Sequence, residues 1–150
     1  MTLQEAIKFF EGLKTEAIKK SEIKVYDQFL HILTELKKRD FSKNEIQFIE
    51  EELDSLNLGS NPENRKKFYR KALNKFKAYL KDAFSLITNG YYTSLGIGIG
   101  LAFGPVLGVL LGQFFERSLG ISFGISIGII IGLLAGQYLD SQAKAAGNII

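Results

Sequence analysis

Two kinds of hydrophobic pattern divide this chain. Up to Ile87 apolar residues recur at helical spacing among charges, and from Tyr91 onward they run almost unbroken. The first part reads as four amphipathic helices. Thr2-Leu3-Gln4-Glu5 is a capping box, and Leu3, Ala6, Ile7, Phe10, Leu13, Ala17 and Ile18 form one face of a helix reaching about Lys20. Ser21 is the expected cap of a second helix to about Arg39, whose stripe is Ile23, Tyr26, Phe29, Leu30, Leu33 and Leu36. Ser42-Lys43-Asn44-Glu45 is a second box, opening a helix with Ile46, Ile49, Leu53 and Leu56 that stops near Gly59. Asn61-Pro62 predicts the start of a fourth helix, which carries Phe68, Tyr69, Ala72, Leu73, Phe76, Leu80, Phe84 and Ile87. It should end about Thr88, before Asn89-Gly90. Stripes this wide bury against one another.

The second part has a different rhythm. Glycine occupies every fourth position at Gly96, Gly100, Gly104, Gly108 and Gly112, and again at Gly120, Gly124, Gly128, Gly132 and Gly136. Residues 95–117 repeat as 119–141 at a fixed offset, with Gln113 matching Gln137 and Glu116 matching Asp140. Each copy exceeds the roughly 18 apolar residues that mark a membrane helix. At 1.5 Å per residue it would span about 32–36 Å, enough to cross a hydrocarbon core with some tilt. The turn, Glu116-Arg117-Ser118, is minimal, so the copies should form a hairpin and an inverted repeat.

The expected fold is therefore all-α: a soluble N-terminal bundle of about four helices, the last long and basic, then a two-helix transmembrane hairpin. The expected layout is a three-helix cytosolic part over 1–60 and a basic amphipathic juxtamembrane helix over 61–90. The hairpin covers 91–141 and a short cytosolic tail 142–150.

Lipid gives little hydrophobic drive between helices, so glycine at this spacing points to close approach of main chains. The row drifts about 40° per step, which favours a right-handed crossing near −40°. Gly98 and Ala102, with their repeat mates Ser122 and Ser126, lie two residues off the ladder and so on nearly the opposite face. One small face serves the hairpin partner, and the other is left for a neighbouring copy. Pro105 should leave the carbonyl of Leu101 without a donor, as a tolerated kink, with a gating hinge as the alternative.

Charge sharpens this reading. The net charge is +3, but residues 61–90 hold eight Lys/Arg against two acids. Lys75, Lys77 and Lys81 lie close before the first span, so both termini should be cytoplasmic. The same lysines are expected to lie beside anionic headgroups. With no cysteine, disulfides and thiol chemistry are excluded.

The paired GxxxG spans resemble the bacterial glycine-zipper families of small two-span membrane proteins, over about a third of the chain. The resemblance implies a homo-oligomer in the bacterial inner membrane, of the kind that includes pore-forming and toxic peptides. The GIGIG piece is also similar to the first helix of rotary ATP synthase c-subunits. Those need a mid-membrane carboxylate on the second helix, and Ile125–Leu134 holds only Ile, Ser, Gly and Leu.

No residue set suggests catalysis, a metal or a cofactor. His31 stands alone beside the second stripe, and Glu50-Glu51-Glu52 reads as a solvated face. The glycines match no phosphate-binding fingerprint. No enzyme is expected, and nucleic acid is not an expected partner. The partners expected are the bilayer, further copies of the chain and a soluble protein met by the head. The function expected is a channel, pore or permeabilising effector under control of the cytosolic head, with a non-conducting scaffold as the alternative.

Overall fold

The computed structural model describes residues 1–60, 62–112 and 117–150. These form six α-helices: α1 (Leu3–Glu16), α2 (Lys20–Lys37), α3 (Lys43–Ser55), α4 (Arg65–Phe84), α5 (Tyr91–Leu111) and α6 (Arg117–Ala145). The fold is all-helical, as expected, and divides into two units: Met1–Ile87 together with Ile150, and Thr88–Ile149.

Local chemistry starts α1 and α3 where the sequence places them. Glu5 and Glu45 each accept an N–H from their cap residue at 2.8 Å, while Thr2 and Ser42 accept the returning N–H at 3.2 and 3.3 Å. The backbone N–H, then the hydroxyl, holds each glutamate below its ordinary pKa.

Other boundaries shift. α1 ends at Glu16, and Ala17 is extended. Ile18 therefore leaves the buried stripe and stands 95% exposed. α2 begins at Lys20 with no side-chain cap, so Ser21 sits inside the helix. α4 starts at Arg65, where Asn64 accepts the Lys67 N–H at 3.0 Å; Asn61 lies outside the described residues. Ser85 takes a left-handed conformation with φ of 56° and closes α4 before Thr88.

The head core is aromatic. Phe10 stacks on Phe29 with ring centroids 4.2 Å apart and meets Tyr69 edge-on at 5.8 Å. Tyr26 meets the same Tyr69 at 5.4 Å. The Tyr69 hydroxyl donates to the Leu58 carbonyl at 3.1 Å, whereas the buried Tyr26 hydroxyl has no partner among the described residues.

Tyr69, Ala72, Leu73, Phe76 and Leu80 of α4 are all buried in this core. Thus α4 is a full member of the bundle, and its apolar stripe is already covered. The expected tail also differs: α6 continues to Ala145, and Ile150 is buried in the head core with its N–H on the Ile87 carbonyl at 2.9 Å.

Candidate functional site

The distinctive chemistry of the second unit is main chain against main chain. α5 and α6 are each long and apolar enough to cross a membrane. Only 17% and 22% of their most apolar windows are buried, where the core helix of a soluble protein would be mostly covered. Apart from Ile18 and Phe48, every large apolar side chain exposed among the described residues lies on these two helices.

What is buried between them is glycine. A methyl placed on Gly104 would lie 2.7 Å from the Ile125 Cα, and one on Gly108 2.6 Å from the Ile121 Cα. Gly96 faces the Gly132 carbonyl and Gly132 faces the Gly96 carbonyl; Gly100 and Gly128 repeat that exchange. Gly124 faces the Gly104 carbonyl, Gly120 packs on Gly112 and Gly108, and Gly136 rests on Tyr92 and Thr93. Each carbonyl occupies the space that a side chain would fill, an arrangement suited to Cα–H···O contacts of about 0.5–1 kcal/mol. The whole ladder is spent inside one chain's hairpin.

The contact also runs the full length. From Gly96 to Gly112 is about 24 Å of helix.

The second small face lies open. Nothing comes within 4 Å of a methyl placed on Gly98, and Gly98, Ala102, Ser122 and Ser126 are exposed. The Ser126 hydroxyl donates back to the Ser122 carbonyl at 2.9 Å. Beside the ladder runs an apolar groove of about 340 Å³, walled by Leu95, Ile99 and Phe103 on one helix and Ile131, Ala135 and Leu139 on the other. Pro105 is half-buried, and α5 continues through it. Gln113 and Glu116 lie outside the described residues, and Arg117, expected in the turn, already belongs to α6.

One polar residue organises the open end. Asp140 is 9% exposed and accepts the N–H groups of Tyr92 and Thr93 at 3.0 Å each, and the Thr93 hydroxyl at 2.6 Å. Gly90 at the cap of α5 has no side chain to offer, and the first turn contains no acid. The orphan donors of that turn take a carboxylate from the other helix instead. Sequence spacing matched Asp140 only to Glu116. The readable sign was the uncapped start of α5, which demanded an acceptor from elsewhere.

The expected surface lysines divide. Lys75 pairs with Glu52 at 3.2 Å and donates to the Ser55 hydroxyl at 3.0 Å. Lys77 is half-buried, and that burial lowers its ammonium pKa. Lys81 is exposed. His31 is exposed too.

No family model, curated protein or solved structure matches this chain.

Proposed function

We propose that this chain is an integral membrane protein of the glycine-zipper kind, which self-assembles through its second small face into a channel or permeabilising oligomer. The cytosolic head governs assembly, as in a defence- or holin-like effector of the bacterial inner membrane, with both termini cytoplasmic. One observation carries the reading: the ladder is used up within the hairpin, yet Gly98 and Ala102 on the outer side of α5, and Ser122 and Ser126 on the outer side of α6, leave each helix an exposed small face among large apolar side chains. In lipid, where packing drives association, such a face favours a second helix pair.

A different observation favours the non-conducting alternative, in which the hairpin clusters and anchors a head that recruits a soluble protein. Ser126 spends its proton on its own helix, so the open face offers little polar lining for ions.

Two measurements test the pair. Oligomer size in a mild detergent should show a discrete assembly that Gly98→Leu or Ala102→Leu breaks while the head stays folded. Induced expression in cells loaded with a potential-sensitive dye should show depolarisation. A discrete oligomer without depolarisation selects the scaffold, and a monomer that ignores both substitutions removes the assembly reading.

A further inference from the structure

We propose that the N-terminal half of α4 is a docking surface for the phosphate headgroups of anionic lipids, formed by Lys66, Lys67, Arg70 and Lys71. The spacing i, i+1, i+4, i+5 puts these four on one side of the helix. All four are exposed, and none pairs with a carboxylate among the described residues. Their stems, flanked by Asn64 and Asn74, enclose an open groove of about 450 Å³.

The head's own stability does not explain this placement. Arg65, Lys66 and Lys67 fill the first turn of a 20-residue helix that has no acid there. Lys66 and Lys67 at that end oppose the helix dipole, and an external anion would offset that repulsion. Lys75, by contrast, is satisfied within the head by Glu52. The exposed basic cluster without a carboxylate partner among the described residues is thus Lys66, Lys67, Arg70 and Lys71, in the first half of α4.

Lipid fits this surface better than nucleic acid. Tyr69 is buried, and Phe68 is half-buried against it at 5.1 Å, so the patch offers no free ring for a base to stack on. Residues 66–71 cover only about 7.5 Å of helix, the scale of a few headgroups. The choice of lipid rests on the proposal that α5 and α6 reside in a bilayer.

The test uses the full chain reconstituted in nanodiscs of neutral phosphatidylcholine. To these are added vesicles of phosphatidylcholine alone, or of phosphatidylcholine mixed with phosphatidylglycerol, at low salt, and capture is read by flotation. Capture by the anionic vesicles should exceed that by neutral ones by about tenfold or more, and fall back at high salt. K66Q/K67Q/R70Q/K71Q should abolish it with helical content unchanged, while the charge-matched K8Q/K19Q/K20Q/K24Q keeps it. Equal capture of both vesicle types overturns the proposal. So does undiminished capture of the first variant, or binding of an oligonucleotide with vesicles refused. A chain that stays out of the nanodiscs defeats the membrane reading by itself, and the same vesicles then test the patch on the free chain.

Discussion

Replacing Gly104 by alanine asks whether the ladder is packed as tightly as it looks. The new methyl would lie 2.7 Å from the Ile125 Cα, 3.0 Å from the Gly124 carbonyl oxygen and 3.2 Å from the Ile125 nitrogen. All three are main-chain atoms and cannot rotate aside. Carbon atoms pack comfortably at about 3.5–4.0 Å, so α5 and α6 must part by about 1 Å. A gap of that size forfeits about a quarter to a half of each contact at the neighbouring rungs. Overpacking costs about 1–3 kcal/mol, and the better helix preference of alanine returns about 1 kcal/mol. With the lost rungs included, Gly104→Ala should destabilise the hairpin by about 2 kcal/mol. Gly98→Ala meets nothing within 4 Å and should stabilise it by up to about 1 kcal/mol. Each variant adds a single methyl to the same helix, yet the two should stand about 3 kcal/mol apart. Reversible unfolding of the full chain by dodecyl sulfate in mixed micelles, read by hydrogen exchange of α5 amides, measures the difference. If Gly104→Ala proves as stable as Gly98→Ala, the close-packing argument fails.

Three further outcomes are expected. Asp140→Asn should cost about 1.5–3 kcal/mol by removing charge-assisted bonds, with exchange protection lost first at the Tyr92 and Thr93 amides. In the head, Tyr26→Phe should be neutral or stabilising because its hydroxyl has no partner, whereas Tyr69→Phe should cost about 1 kcal/mol; thermal melts of both variants check the contrast. Glu5 and Glu45 have folded pKa values below their ordinary ones, so they contribute stability at neutral pH that is lost as acid takes the pH down through those folded values. Glu5→Gln and Glu45→Gln, which remove the titrating carboxyl groups, should flatten the acid limb of a stability-versus-pH curve.

How much of this was legible depends on how far each interaction reaches along the chain. The boxes at Thr2 and Ser42 close within three residues, so spacing alone found them. The sequence placed the start of α4 at Asn61-Pro62, whereas the cap is Asn64, a residue of the same type three positions on. Its end was hidden because Ser85 adopts a backbone conformation that glycine usually takes. The glycine period announced close packing, but only coordinates show that a single chain consumes it. The partners of Asp140 and Ile150 could not be assigned from spacing for one reason: they lie 47 or more positions away in sequence.

The evenness of the ladder has a consequence of its own. A rail with identical notches cannot distinguish one alignment from the next, because moving the pairing by four residues again sets glycine against glycine. Asp140 removes that ambiguity. Only in one alignment does its carboxylate meet the Tyr92 and Thr93 amides and the Thr93 hydroxyl together. A single acid therefore acts as a detent: the glycines let the rods slide close, and Asp140 decides where they stop.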